Sequence, residues 1–181
     1  AGLRQTRRKR RYLAIRREVA LEGNGKRISI VPSERFELSC HVYFKHPMVG
    51  HQSLRMEVSP ENYARELAPA RTFGFAPELD QMRNMGLIRG ASLDSAVCFT
   101  EDGVLNPGGL RFPDEPCRHK ALDLIGDLAL IGRPLLGKVV AERAGHAMHV
   151  ALVAKIMSDP TLYDVVTMDE MLGQTVHAVA G

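Results

Sequence analysis

The sequence has no apolar run long enough to cross a bilayer, and its first residues, Ala-Gly-Leu-Arg-Gln-Thr, lack the apolar core of a signal peptide. It contains three cysteines, Cys40, Cys98 and Cys117, and no C-x-x-C pair. This argues against a disulfide framework or a cysteine-rich zinc module and favours a reducing, cytoplasmic location. H-E-x-x-H, G-x-S-x-G and P-loop motifs are also missing, so the commonest hydrolase and nucleotide-binding signatures do not apply.

Positive charge is concentrated at the start of the chain. The 181 residues carry a net charge of +3, but eight of the 24 Lys and Arg residues lie in residues 1–18, where the only acid is Glu18. The remaining residues carry 16 basic and 20 acidic side chains, a net charge of −4. A nucleic-acid-binding domain is expected to spread its cations over a whole face. We therefore expect no nucleic-acid partner.

Alternating apolar and polar residues predict antiparallel sheet in the first third of the chain. Residues 11–30 read as a β-hairpin with a tight turn near Gly23 to Gly25. Residues 36–44 and 53–58 read as further strands.

Helical and extended patterns alternate in the rest of the chain. Ser59 and Pro60 are a typical helix start, and Gly132 a typical helix end. A layer of sheet and a layer of helices predict an α+β two-layer sandwich with mostly antiparallel sheet. The predicted elements are helices at 60–67, 77–85, 116–130 and 146–157, a loop at 72–75, and strands at 91–100, 137–144 and 163–167.

A polar stripe interrupts the helix predicted at 116–130. His119 and Asp123 are four residues apart and project from one face, so an imidazole nitrogen and a carboxylate oxygen could bind one Zn²⁺ ion. Asp127 continues the stripe and could orient another side chain. An H-x-x-x-D pair on a helix is also common by chance, and by spacing alone it is more often a solvated or salt-bridged face than a metal site.

Four sequence blocks resemble a known family. They are ARTFGF at 70–75, LIRGASLDSAV at 87–97, LRFPDEPCRHKALDLIGDLALIGRPLLG at 110–137 and AGHAMHVALV at 144–153. In order and spacing they resemble the C-terminal half of UDP-3-O-acyl-N-acetylglucosamine deacetylases, the zinc amidases of lipid A biosynthesis. The resemblance runs from the opening residues to about Glu170 and implies hydrolytic removal of acetate from a UDP-sugar.

The resemblance implies a role for each residue of the polar stripe. His119 and Asp123 would be zinc ligands, and Lys120 would contact the substrate. Asp127 would hydrogen-bond His146, whose imidazolium form would stabilise negative charge and protonate the leaving amine. The hydroxyl of Thr72 would face the oxyanion of the tetrahedral intermediate.

Further positions would bind the substrate. In the family an inserted β-α-β unit, here residues 73–98, builds an apolar passage for the acyl chain. An aromatic residue, here Phe44, lies near the nucleotide sugar. The implied substrate-binding residues are Phe44, Phe73, Glu78, Leu79, Ile88, Ala91, Ser92 and Cys98.

One departure from the family pattern concerns the zinc site itself. The family's third zinc ligand is a histidine preceded by the glutamate that acts as general base, and no Glu-His dipeptide occurs in this chain. A catalytic zinc normally keeps three protein ligands and a water. We therefore expect a fragment that is inactive alone, with an N-terminal half of the same enzyme as its partner and a monomeric complete protein. The expected divisions are a linker and first strand at 1–18, the deacetylase domain at 19–170 and a tail at 171–181.

A second interpretation belongs to another class of protein. The chain could be a non-catalytic α+β module whose basic N-terminal arm binds anions or nucleic acid. Salt-sensitive binding that disappears when residues 1–11 are deleted would support it.

Overall fold

Strand β5 (Gly50–Glu57) alternates between half-buried and exposed residues along its whole length, because successive side chains of a strand point to opposite faces of the sheet. The computed structural model describes residues 8–78 and 92–171; within these ranges the strands form one seven-stranded and one three-stranded sheet. The α+β class is confirmed. The other described strands are β1 (Arg11–Ile15), β2 (Val19–Gly23), β3 (Lys26–Val31), β4 (Phe36–Phe44), β6 (Thr72–Phe75), β7 (Ala96–Thr100), β8 (Gly103–Val104), β9 (Leu135–Glu142) and β10 (Tyr163–Thr167).

The helices also begin and end close to their predicted positions. Helix α1 (Pro60–Asn62) starts at the N-cap Ser59, whose hydroxyl accepts a hydrogen bond from the backbone N–H of Asn62. No helix in the described part of the chain is long and apolar enough to cross a membrane. The remaining helical segments are the π-helical turn Tyr63–Leu67, α2 (Glu115–Leu128), the 3₁₀ turn Ala129–Ile131, α3 (His146–Ser158) and the 3₁₀ turn Pro160–Leu162.

The predicted hairpin is confirmed for residues 19–31, as the antiparallel pair β2–β3, whereas residues 11–15 form the separate strand β1, which pairs with β9 and β10. Its turn residues Asn24 and Gly25 have φ angles of 52° and 67°. Two successive left-handed residues give the turn a twist that matches that of the flanking strands, and Asn-Gly adopts this conformation readily. The signal was local and therefore readable from the sequence.

Strand β9 lies at the centre of the large sheet. It pairs antiparallel with β3 but parallel with β1 and β4. The antiparallel pairing predicted for the first third is confirmed within β2–β3 and β4–β5. The parallel pairs join strands far apart in sequence, with helices in the long connections between them, as parallel pairing requires.

The main core lies between the large sheet and helices α2 and α3. Apolar residues of both helices pack against β1, β3 and β9, so the helices are fixed relative to each other and to the sheet. The fully buried side chains of this core include Leu13, Ile28, Ile30, Leu124, Val139, Leu152 and Ile156.

The small sheet corrects two sequence-based expectations. Residues 72–75, predicted as a loop, form β6, which pairs parallel with β7. The strand predicted at 91–100 begins only at Ala96, because Ser92 and Ser95 form a turn closed by a backbone hydrogen bond of 3.1 Å. The parallel pair agrees with a β-α-β unit. Of the helix predicted at 77–85, only residues 77 and 78 are described, and they are helical.

A buried ion pair joins the start of β6 to the start of α2. The Arg71 guanidinium donates to both carboxylate oxygens of Glu115, at 2.9 and 3.1 Å. The backbone N–H groups of Arg71 and Arg111 also donate to this carboxylate, at 3.0 and 2.7 Å. The Glu115 side chain is fully buried, and that of Arg71 is 9% exposed. Glu115 therefore holds Thr72, the residue after Arg71, in place relative to α2.

This pair predicts a pH dependence of stability. Burial opposes the charged form of Glu115, but hydrogen bonds from Arg71 and from two backbone N–H groups outweigh it and hold the pKa of Glu115 below its usual value. A carboxyl group with a lowered folded-state pKa stabilises the fold above its unfolded pKa, about 4.3, and loses that contribution as the pH falls through the folded value. The difference in unfolding free energy between wild type and Glu115→Gln should therefore shrink below about pH 4.3. Urea unfolding at several pH values measures it, and a difference independent of pH would contradict the prediction.

Candidate metal and active site

A pocket of about 300 Å³ lies between α2, β6 and the start of α3. Eight of the candidate residues line it. The predicted zinc ligands His119 and Asp123 therefore lie in the same pocket as His146, the predicted proton donor, and Thr72, the predicted oxyanion contact. A larger cavity of about 840 Å³ lies elsewhere, and none of the candidate residues lines it. The candidate residues that line the smaller pocket are Phe44, Thr72, Phe73, Glu78, His119, Lys120, Asp123 and His146.

Helix α2 divides its residues between the core and the pocket. Cys117, Ala121, Leu124 and Leu128 are buried, which fixes the rotation of the helix against the sheet. Residues 119, 123 and 127 share one face of the helix, because residues four apart lie one above the other. This polar stripe is on a different face from the buried residues. Packing of the apolar face therefore directs His119 and Asp123 toward the pocket, whereas Asp127, one turn further on, contacts His146 and His149.

Asp123 is the shared acceptor of the site. Its Oδ1 lies 3.4 Å from Nε2 of His119, and its Oδ2 accepts a hydrogen bond of 2.8 Å from Nζ of Lys120. Nε2 of His146 approaches Oδ2 at 3.7 Å. The side chains of His119 and Asp123 are 16% and 15% exposed, so both are largely desolvated but reachable from the pocket.

The contacts of His119 suit a metal ligand. Its Nδ1 lies 3.3 Å from the carbonyl oxygen of Ala70, which accepts a hydrogen bond when Nδ1 carries the proton. That tautomer leaves the lone pair of Nε2 available toward Asp123. Two donor atoms, each about 2.1 Å from a zinc ion in tetrahedral geometry, lie about 3.4 Å apart. The separation of 3.4 Å between Nε2 and Oδ1 of Asp123 matches that value.

Asp127 joins α2 to α3 through two histidines. Its Oδ2 accepts from Nδ1 of His146 at 2.7 Å and from Nδ1 of His149 at 2.8 Å. The His146 side chain is 61% exposed, whereas that of His149 is 2% exposed. Burial lowers the pKa of His149 below its usual value, although Asp127 acts in the opposite direction. Asp127, His146 and His149 could also hold a metal ion together, because each offers one nitrogen or oxygen atom and these atoms lie within 4.8 Å of one another.

Aromatic rings form one wall of the pocket. Phe73 packs edge-on against Phe44 at 5.2 Å and against His119 at 6.4 Å between ring centroids. Nζ of Lys120 lies 5.9 Å from the centre of the Phe73 ring, within the range of a cation–π contact. The aromatic wall of the pocket is therefore in contact with two of its ionisable residues, His119 and Lys120.

Several predicted substrate-binding residues lie outside this pocket or outside the described ranges. Ser92 is exposed in the turn before β7. Cys98 is buried in β7, where its backbone N–H donates to the side chain of Asn106. Leu79, Ile88 and Ala91 fall in residues 79–91, which the structure does not describe.

A family model described as UDP-3-O-acyl N-acetylglycosamine deacetylase matches residues 1–158 of this chain. The chain belongs to this family. A Solibacter usitatus (strain Ellin6076) relative, named UDP-3-O-acyl-N-acetylglucosamine deacetylase, is 65% identical over 179 residues, 99% of this chain and 60% of the relative. Relatives with the same name from Myxococcus xanthus (strain DK1622) and Syntrophotalea carbinolica (strain DSM 2380 / NBRC 103641 / GraBd1) are 43% and 42% identical. These matches cover 92% and 99% of this chain and 53% and 61% of the relatives.

Sequence reasoning about this deacetylase-family chain missed two groups of residues. His149 received no role, although it lies three residues after His146 and so on a neighbouring part of the same helix surface. The Arg71–Glu115 pair had no local signal, because its members are 44 residues apart. The helix periodicity could have indicated His149, whereas only the fold brings Arg71 to Glu115.

Proposed function

We propose that this chain takes part in zinc-dependent deacetylation of UDP-3-O-acyl-N-acetylglucosamine, releasing acetate in lipid A biosynthesis. The observation that carries the proposal is the convergence of His119, Asp123 and His146 on one pocket beside Thr72. The relatives' names supply the substrate class. We further propose that residues 19–170 are the catalytic domain of a cytoplasmic enzyme that is monomeric when complete.

We propose His119 and Asp123 as ligands of the zinc ion. Their nitrogen and oxygen donors suit zinc, and their 3.4 Å separation fits two corners of a tetrahedron. When bound, the ion would supply Lewis-acid polarisation of the acetamido carbonyl and of the attacking water. The hydrogen bond from His119 to the Ala70 carbonyl would keep the imidazole in the ligating tautomer.

The other polar residues of the pocket act on the charges that develop during amide hydrolysis. Thr72 lies in β6 at the pocket wall, where its hydroxyl can donate to the oxyanion formed from the carbonyl. His146 donates from Nδ1 to Asp127, so its imidazolium form can give the Nε2 proton to the leaving amine and remain as the neutral Nδ1–H tautomer. Lys120 lines the same pocket, where its positive charge would contact the substrate.

The apolar and remaining polar positions are proposed to bind the rest of the substrate. Phe44 and Glu78 line the pocket and would contact the nucleotide-sugar part. Phe73 lines the pocket and is also the first residue of the segment proposed to hold the acyl chain. That passage is assigned to residues 73–98, with Leu79, Ile88, Ala91, Ser92 and Cys98 as its lining.

The set of ligands in this chain is smaller than the proposed chemistry requires. The chain spans between 53% and 61% of the length of the three relatives named above. The family's third ligand and general base form a Glu-His dipeptide, and this sequence has none. Because a catalytic zinc needs three protein ligands and a base for its water, the 181-residue chain alone should bind zinc weakly and turn over no substrate.

A hybrid protein tests the proposal. The part of the Solibacter usitatus relative that this chain does not match would be joined to the 181 residues. With UDP-3-O-acyl-N-acetylglucosamine and stoichiometric zinc, the hybrid should release acetate and the chain alone should not. A hybrid that folds and binds zinc but releases no acetate would refute the proposed function, and turnover by the chain alone would refute the division of the site.

A further inference from the structure

A buried histidine lies behind the pocket, in a position that the proposed reaction does not use. His149 is in the first turn of α3, and its side chain is only 2% exposed. Its Nδ1 lies 2.8 Å from Oδ2 of Asp127, the same oxygen that Nδ1 of His146 contacts at 2.7 Å. One carboxylate oxygen therefore has two imidazole partners, one buried and one facing solvent.

The chemistry of the contact determines the tautomer of the buried ring. A carboxylate can only accept, so Nδ1 of His149 must carry the hydrogen. Burial lowers the pKa of this imidazole, which favours the neutral ring. A neutral ring with the proton on Nδ1 is a fixed donor that cannot reverse its role while Asp127 is ionised.

The contact restrains Asp127 from the buried side of the site. The terminal torsion of an aspartate is broad, so a carboxylate with only an exposed partner can rotate. The His146 side chain is 61% exposed and cannot by itself fix that torsion. The bond from His149 holds Oδ2 in place, and Oδ2 in turn holds Nδ1 of His146, so that Nε2 of His146 points to the pocket, 3.7 Å from Oδ2 of Asp123.

We propose that His149 is a positioning residue that fixes the Asp127 carboxylate, so that His146 keeps one tautomer with Nε2 directed into the pocket. Its catalytic meaning rests on the proposed function, whereas the hydrogen-bond chain itself does not. The test below measures no turnover. Failure of the hybrid to release acetate and failure of this test are therefore separate results.

The test uses the metal-free 181-residue chain with ¹⁵N-labelled histidine. NMR of the ring nitrogens at a pH above about 8, where ordinary histidines are neutral, distinguishes the two tautomers. Three variants are compared with wild type: His149→Leu, His149→Asn and the control His51→Leu at an exposed histidine on β5. Asparagine retains a donor nitrogen bonded to Cγ, as Nδ1 is in histidine, so it can reach the same oxygen.

The expected result has two parts. In wild type, His149 and His146 should both be Nδ1–H tautomers. His149→Leu should convert His146 to a mixture of tautomers, whereas His149→Asn and His51→Leu should leave it unchanged. An Nε2–H tautomer at His149 in wild type, or an unchanged His146 in a folded His149→Leu variant, would overturn the proposal. If His149→Leu fails to fold, two results would still refute the proposal. One is an Nε2–H tautomer at His149 in wild type, and the other is an altered His146 tautomer in His149→Asn.

Discussion

Replacing His119 with alanine in the hybrid enzyme is expected to remove most of the bound zinc and to lower kcat/KM by about a thousandfold or more, because the ion's stabilisation of developing charge is worth several kcal/mol. His119 supplies the nitrogen donor 3.4 Å from Oδ1 of Asp123, and its Nδ1 is already engaged with Ala70. Alanine leaves Asp123 as the single ligand from this chain. Zinc content by atomic absorption and initial rates of acetate release measure the two effects.

A second histidine provides the matched control. His51 is exposed on β5 and lies against the ring of Tyr43, with centroids 4.6 Å apart. His51→Ala should leave zinc content and rate near wild type. If His119→Ala retained both zinc and deacetylation, the assignment of the metal site would be wrong, and the stripe on α2 would be a salt-bridged face.

Replacing Glu115 with glutamine is expected to destabilise the chain by about 3 to 5 kcal/mol, the usual result of removing one member of a buried ion pair. The substitution keeps the shape of the side chain, so no cavity accompanies the loss of charge. It leaves the Arg71 guanidinium, 9% exposed, without the carboxylate to which it is hydrogen-bonded. For a chain of this size the midpoint of thermal unfolding should fall by about 10 °C. Circular dichroism during heating and during urea titration measures both quantities.

An exposed Arg–Glu pair serves as the control that separates the effect of burial on stability from the effect of charge. Arg35 and Glu57 lie 2.9 Å apart, with side chains 70% and 44% exposed. Surface pairs contribute about 0 to 1 kcal/mol, so Glu57→Gln should change the midpoint little. Equal effects of the two substitutions would show that Glu115 is no more important to stability than a surface carboxylate.

Local patterns predicted much of the fold. The strands at 36–44 and 163–167 agree with β4 and β10, and the hairpin turn is where Asn24-Gly25 indicated. Residues 36–44 alternate between apolar and polar types, residues 163–167 are rich in β-branched side chains, and the hairpin turn needs left-handed residues. Residues 72–75 were predicted wrongly as a loop, because a four-residue strand with a glycine has a weak local signal. Pairing with β7 makes this segment a strand.

By itself the sequence determined the family, through four ordered blocks, and the spacing that puts His119, Asp123 and Asp127 on one side of a helix. Helical periodicity is a local property, so no tertiary information was needed for that stripe. The tertiary structure alone decided which groups the stripe meets. Thr72 reaches the pocket through a strand held by Glu115, and His149 meets Asp127 because α2 and α3 pack on the same sheet. Contacts between residues far apart in the chain depend on how the elements pack, which spacing within one element does not specify.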